Sequence, residues 1–346
     1  MAQKLKIGLL GCGGIAQIAH LPALKKAANV DFTTICDAAE DLGRHMAQKY
    51  DVPHVFTDHK KFLAEADIEA VLIPVAHAYH APLSIDAMRA GKHVIVEKPM
   101  AVTVAECEEM VRVSRETGRQ LQMACMKRYD PGVQFAQKFI AEEMGPRFAV
   151  SGWYCDSVFH GQYVTSLTPP RFSSKAQKRP ASGLTDAHLN NLLGHGVHLL
   201  DTLRFLGGDV AAVTTTKTMK EKDLVTMSLL EWADGARGTF TLIVRLRMDW
   251  SEGFMVHGAG GSALGEVFFP YTLKPAAVRV FDAKRNEYRT PAMPDTDPYE
   301  RQLEGFAAAI LEGRPVSPNG EDGLKAQKIL YAMHESAETG RRVAVA

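Results

Sequence analysis

The sequence predicts a doubly wound α/β domain with a parallel sheet, followed by an α+β domain whose sheet is antiparallel. Three observations predict it. Over the first third of the chain, short apolar runs alternate with helical patterns, the signature of βαβ units. A glycine-rich turn, GLLGCGGIA, follows the first of those runs directly. Beyond residue 125 come several strand-like runs, some alternating apolar with polar residues, and no long helix separates them. At 346 residues the chain exceeds a typical single core, so division into domains 1–124 and 125–346 is expected.

The strands of the first domain are read at KIGLLG (6–11), VDFTTICD (30–37), AVLIPV (70–75), HVIVE (93–97) and LQMAC (121–125), with a shorter one at Val55-Phe56. Helical patterns fill 39–50, 82–90 and 104–117, and Gly91 and Gly118 fall where helix C-caps belong. The second domain opens with a helix in RYDPGVQFAQKFIAEEMG, started by a proline and closed by a glycine. Strand-like runs follow at RFAVSGWYC, AAVTTTKTM, LVTMSLLEW, ARGTFTLIVRLRM and GFMVHGA. Among them lie a basic loop, TPPRFSSKAQKRPASG, and a strong helix over roughly 187–206. Two helical segments, YERQLEGFAAAILEG and GEDGLKAQKILYAMHESAETG, close the chain.

The bulk numbers are those of an ordinary globular protein: 46% apolar, 23% charged and no formal net charge. Without a basic footprint, a nucleic-acid or membrane-surface partner is not expected. No apolar stretch approaches the ~18 residues of a membrane span. The N-terminal MAQKLKIGLLGCGG runs straight into a glycine turn and reads as a first strand, not a signal peptide. The five cysteines form no C-x-x-C pair, so neither a disulfide framework nor a thiolate zinc site is expected, and a reducing cytoplasm fits best.

Gly11, Gly13 and Ala16 make a G-x-G-x-x-G/A pattern between strand and helix, with Gly14 and Ile15 in the same turn. Such a loop brings a pyrophosphate up to a helix N-terminus. The second strand ends at Asp37, about 20 residues further on, where a carboxylate accepts hydrogen bonds from an adenosine ribose. The plainer reading is a strand–helix turn with Asp37 capping the next helix. A carboxylate also repels a 2′-phosphate, and Ala38-Ala39-Glu40 offers no arginine to bind one, so NAD is expected over NADP. Arg44 and His45 lie further along.

Ionisable residues at the mouth of a buried strand are costly unless used. HVIVEKPM places Glu97 and Lys98 at such a mouth, where open α/β sheets bind ligands. This points to Lys98 as an acid–base group beside a nicotinamide and to Glu97 as its neighbour at the cofactor. The competing reading is a salt bridge closing the strand. His80, in VAHAYHAP (75–82) after the fourth strand, is either near the cofactor or merely a helix N-terminal residue. On the helix around residue 195, Asn191, His195, His198 and Thr202 share one stripe at 100° per residue, beside an apolar stripe of Leu192, Leu199, Leu203 and Leu206. Two imidazoles without charged neighbours suit a pocket wall. Asp201 lies ~120° round from His195, so this helix does not converge three ligands and no metal is expected.

With these residues in place, the sequence resembles the glucose–fructose oxidoreductase/inositol dehydrogenase/rhizopine catabolism (Gfo/Idh/MocA) family. The matching stretches are the N-terminal glycine loop, EKP (97–99), MKRYDP (126–131), GHGVHLLDTLRFLGG (194–208) and residues 304–336 near the end. The resemblance implies a Rossmann domain and a C-terminal domain with an open, mostly antiparallel sheet. It implies oxidation or reduction of a sugar, cyclitol or related polyol at a secondary alcohol, with Lys98 both catalytic and substrate-binding. It makes His198 the catalytic or substrate-orienting histidine, ahead of His195, and turns Arg128 and Tyr129 towards the substrate cleft. Two alternatives remain: redox-neutral glycoside cleavage with tightly bound NAD, and a non-catalytic NAD sensor or scaffold. One departure stands out: the family often has an aspartate four residues before the histidine, and here that position is Gly194. His195 or Asp186 is expected to take part of its role. The Lys98-Pro99 bond is a candidate cis peptide. Arg171, Lys175, Lys178 and Arg179 either admit an anionic sugar or form a solvated loop. The open sheet is expected to be covered by a second copy, in a homodimer or homotetramer.

Overall fold

The computed structural model describes residues 3–176 and 184–345; Lys178 and Arg179 of the basic loop lie outside the described residues. Packing divides the chain into two compact units. The first holds the residues up to Cys125 with Thr168–Thr185 and Tyr299–Gln327, and the second holds Met126–Leu167, Asp186–Pro298 and Lys328–Ala346.

The first unit carries a six-stranded parallel sheet: β1 (Leu5–Leu10), β2 (Val30–Cys36), β3 (His54–Phe56), β4 (Ala70–Ile73), β5 (His93–Glu97) and β6 (Leu121–Ala124). Their order is β3-β2-β1-β4-β5-β6, so it reverses between β1 and β4. The crevice beyond the carboxyl ends of the strands at that reversal is where such sheets take ligands. β4 is buried throughout and β5 at all but its first residue, as strands covered on both faces require. The connecting helices are α1 (Leu21–Lys26), α2 (Glu40–Lys49), α3 (His59–Glu65), α4 (His80–Arg89) and α5 (Val104–Thr117). A capping box of Thr103 and Glu106 starts α5, which ends on Gly118 at φ 65°. Gly91, just after α4, stands at φ 78°; both are left-handed positions that glycine takes at little cost.

The second unit is built on nine strands: β7 (Arg147–Ser157), β8 (Val210–Lys220), β9 (Asp223–Trp232), β10 (Arg237–Leu246), β11 (Ser251–Gly258), β12 (Gly261–Val267), β13 (Ala277–Asp282), β14 (Glu287–Arg289) and β15 (Val343–Ala344). They form an open sheet in the order β14-β13-β12-β11-β7-β10-β9-β8-β15. Every pairing is antiparallel except β7 with β10. The helices of the second unit are α6 (Pro131–Glu142), α7 (His160–Leu167), α8 (Ala187–Asn191) and α9 (Val197–Gly207); α10 (Pro298–Leu311), from Tyr299 onward, and the start of α11 (Gly320–Thr339) belong to the first unit, and α11 from Lys328 onward belongs to the second. A π turn at Leu192–Gly196 joins α8 to α9.

The approach of α9 to the sheet is set by β7. A Cβ on Gly152 would stand 2.9 Å from Leu199 Cδ1 and 2.9 Å from Leu203 Cδ2, so only glycine lets the helix this close. Burying each of these leucines contributes about 1.5–3 kcal/mol. The other face of the sheet is different. β9 alternates strictly, with Leu224, Thr226, Ser228, Leu230 and Trp232 inward, while Met227 and Leu229 are 54% and 61% exposed. All five cysteines are buried, and none is in a disulfide.

Candidate active site

The glycine loop leaves β1 at Gly11, whose φ of 106° and whose absent Cβ, which would lie 2.5 Å from Val75 Cγ1, exclude any other residue. Asp37, just past the end of β2, folds back over this loop. Its Oδ2 accepts the Cys12 N–H at 2.6 Å and its Oδ1 accepts the Ala39 N–H at 2.8 Å. Each oxygen keeps a lone pair for a ribose hydroxyl. Burial raises its carboxyl above the usual range, and the two backbone N–H groups oppose that shift. Arg171 lies against the same loop: its Nη1 is 3.2 Å from where a Cβ on Gly14 would stand. Its neighbours hold it there. Phe172 exchanges hydrogen bonds with Gln17 at 2.8 and 3.1 Å and stacks on His45 at 4.2 Å, and Ser174 donates to Asp41 at 2.6 Å. Sequence reading had no signal for this contact, which needs residues some 155 positions apart to meet. A glycine loop with a guanidinium against it and a carboxylate at the next strand's end fits a dinucleotide.

Glu97 answers the question of the charged strand mouth. Its Oε1 lies 2.7 Å from Nε2 of His20, which is fully buried and sits on the π turn Ala16–His20 after the loop. Its Oε2 accepts the Lys98 N–H at 2.9 Å. Burial penalises this carboxylate, but the His20 hydrogen bond and the charges of His20 and Lys98 prevail and hold its pKa below the usual value. Glu97 thus anchors the backbone at Lys98, whose side chain is half-buried. The Lys98-Pro99 bond is cis. His80 is fully buried, with Nδ1 at 2.7 Å from the Pro99 carbonyl and Nε2 at 3.1 Å from that of Val75. A neutral imidazole donates once, and the shorter contact makes Nδ1–H the donor to Pro99. His80 therefore ties the EKP turn to the start of α4. Beside it, His77 is pushed down to about 4 by burial and then by the neighbouring His80 and Lys98.

In the second unit, His195 and His198 flank Tyr154 of β7. The His198 ring lies parallel to the tyrosine ring at 5.9 Å, and His195 is tilted at 6.0 Å. Trp250 meets Tyr154 edge-on at 4.6 Å. Asp156, also on β7, takes a hydrogen bond from His160 at 2.8 Å and stands 3.8 Å from His195 Nδ1. Two imidazoles, a carboxylate and an aromatic platform are a set that can hydrogen-bond hydroxyls while packing against a sugar's C–H face.

The remaining sequence expectations fall out differently. The π turn breaks the 100° spacing on which the polar stripe was drawn. Thr202 is buried, its hydroxyl donating to the His198 carbonyl at 3.1 Å, and Asn191 turns back to the Ala187 carbonyl at 2.8 Å. Arg128 is buried in a two-pronged ion pair with Asp201 at 2.9 and 2.7 Å, its guanidinium over Phe205. A Cβ on Gly194 would meet nothing within 4 Å among the described residues. Asp186, proposed to compensate for it, caps α8 by accepting from Leu189 N–H at 2.7 Å. The carboxylate that does stand near His195 is Asp156, which no motif in the sequence marks.

Residues 5–125 match the pattern described as oxidoreductase family, NAD-binding Rossmann fold, and residues 186–345 match its C-terminal alpha/beta domain. The chain belongs to the Gfo/Idh/MocA oxidoreductase family. It is 25% identical to inositol 2-dehydrogenase of Salmonella typhimurium, covering 97% of this chain and 95% of that protein. It is 27% identical to 1,5-anhydro-D-fructose reductase of Ensifer adhaerens, covering 96% of each. Among solved structures, levoglucosan dehydrogenase in complex with NADH and levoglucosan shares the fold, with a TM-score of 0.80, 22% identity and coverage of 99% and 100%. Among the described residues no helix is long and apolar enough to cross a membrane.

Proposed function

We propose that the protein is an NAD(H)-dependent dehydrogenase acting on a secondary alcohol of a sugar, sugar derivative or cyclitol. The observation that carries this reading is the anchoring of Lys98 by the buried Glu97–His20 pair at the carboxyl end of β5. A buried carboxylate of this kind costs several kcal/mol in desolvation and is retained where it serves a site. The names of two curated relatives, an inositol 2-dehydrogenase and a 1,5-anhydro-D-fructose reductase, support the same class. Gly11, Gly13, Gly14, Ile15 and Ala16 would hold the pyrophosphate with Arg171, and Asp37 the adenosine ribose. Bound NAD supplies hydride acceptance and return at nicotinamide C4. Lys98 and His198 carry the proton: one takes it from the substrate hydroxyl and the other hydrogen-bonds the oxygen as charge develops. His195, oriented by Asp156, contacts a neighbouring hydroxyl. The test is turnover with NAD⁺ across a panel of cyclitols and aldoses. Ketone or lactone formed one-for-one with NADH is expected. Steady product with no net NADH would replace this reading with redox-neutral cleavage, and no turnover on any member would overturn both.

For the cofactor, NAD over NADP rests on the position of Asp37. A hydrogen bond to a charged group contributes about 1.5–3 kcal/mol, so Asp37→Ser should narrow the NAD preference by roughly 10–100-fold in kcat/KM. A wild-type enzyme that already prefers NADP would contradict this. We also propose that the exposed face of the second sheet, with Met227, Leu229 and Met255, packs on a second copy. Light scattering should give at least twice the chain mass, and Leu229→Lys should shift it towards monomer. A monomeric wild type would refute the assembly.

A further inference from the structure

Away from the residues assigned above, three side chains of the second unit converge: Asp186 at the start of α8, His188 on α8 and His334 on α11. One ligand atom from each lies within 4.8 Å of the others. The two imidazoles face each other through Nδ1, 3.1 Å apart, and Asp186 Oδ1 stands 3.8 Å from His334 Nδ1. For zinc bonded to nitrogen at about 2.0–2.1 Å in a tetrahedron, adjacent nitrogens stand about 3.3–3.4 Å apart. We propose that Asp186, His188 and His334 form a site for a divalent transition-metal ion of the zinc type.

The surroundings support this. His188 is 1% exposed, and its Nε2 lies 3.1 Å from the hydroxyl of buried Thr226 on β9. With Nε2–H donating to Thr226, the Nδ1 lone pair points at the proposed ion, the outer-shell arrangement that orients histidine ligands. Burial, followed by the charge of Lys217, pushes His188 down to about 4, so it is neutral at pH 7 and able to ligate. Asp186 is half exposed, leaving a side open to solvent for loading. Glu338, one turn beyond His334, has Oε1 4.0 Å from His334 Nδ1 and is ion-paired with Lys217. The carboxylates of Asp186 and Glu338 outweigh the one ammonium of Lys217, so the cluster is net negative before the ion binds. Two imidazole nitrogens and a carboxylate oxygen, with a fourth place for water, suit zinc, cobalt, nickel or copper over magnesium or calcium. Such an ion would tie α8, which leads through the π turn to His195 and His198, to α11 and, through Thr226, to β9.

The competing account of the 3.1 Å contact is a single proton shared between two histidines, and it binds no metal. The experiment is titration of the chelator-stripped full-length protein with Co²⁺, read by visible absorption, then displacement by Zn²⁺. The proposal expects one equivalent of Co²⁺ with the intense bands of a low-coordinate site, lost on adding Zn²⁺. His334→Gln should weaken Co²⁺ binding at least 100-fold, and Thr226→Val, which keeps all three ligands, roughly 10–100-fold. Circular dichroism and NAD binding of the stripped variants establish that they are folded. No Co²⁺ uptake by the wild type, or equal uptake by His334→Gln, overturns the site.

Discussion

Lys98→Ala is expected to lower kcat by about 10³-fold or more, while the affinity for NAD changes by less than about threefold. The expectation rests on how the residue is held. The backbone N–H of Lys98 is fixed by Glu97 Oε2, and Glu97 is fixed in turn by His20. Those bonds involve main chain and neighbours, so truncating the lysine beyond Cβ leaves the turn and the glycine loop in place. The ammonium is lost together with its aliphatic stem. Steady-state kinetics with a substrate from the panel, alongside fluorescence titration of NADH, separate the two quantities. Equal loss of turnover and of NADH affinity would make Lys98 a structural residue and remove it from the acid–base step.

His198→Asn is expected to cost about 10²–10³ in kcat, again with NADH affinity unchanged. Its ring is kept in one plane by Tyr154, and asparagine retains a hydrogen-bonding group of similar reach without the capacity to take a proton. The variant should also lose one limb of the pH–rate profile, which a merely structural histidine would not alter. His195→Asn, by contrast, should act mainly on KM, since it is proposed to bind a neighbouring hydroxyl. If His198→Asn kept both kcat and the wild-type pH profile, His198 would leave the acid–base step and the proton would fall to Lys98 alone.

Much of the first unit was legible because its physics is local. Strands buried on both faces read as continuous apolar runs, and a glycine that must adopt φ 106° announces the turn after β1. Glu97 and Lys98 could be singled out for the same reason: charge at the mouth of such a run is conspicuous. What could not be read is what depends on distant residues or on departures from ideal geometry. Nothing in the 3.6-residue periodicity of an α-helix anticipates the π turn at Leu192–Gly196, which reassigns Thr202 to the interior. The pairing of Arg128 with Asp201 spans 73 residues, so the ion pair that takes up this guanidinium could not be read from its neighbours in sequence. Strands β12 to β14 are short and contain glycines and charged residues, so their apolar pattern is weak. Asp156, Arg171 and the Asp186–His188–His334 cluster belong to no motif at all.

The central claim is that hydride leaves a substrate carbon bearing a hydroxyl and arrives on nicotinamide. The most direct measurement is isotope tracing with a cyclitol or sugar deuterated at the reacting carbon, incubated with NAD⁺ and the wild-type protein. Mass spectrometry should find one deuterium at C4 of the reduced nicotinamide for each molecule of ketone formed, with both products lowered about 10³-fold or more over the same time in Lys98→Ala. Product formation with the deuterium released to solvent, or NAD recovered unreduced from every substrate tested, would contradict the account.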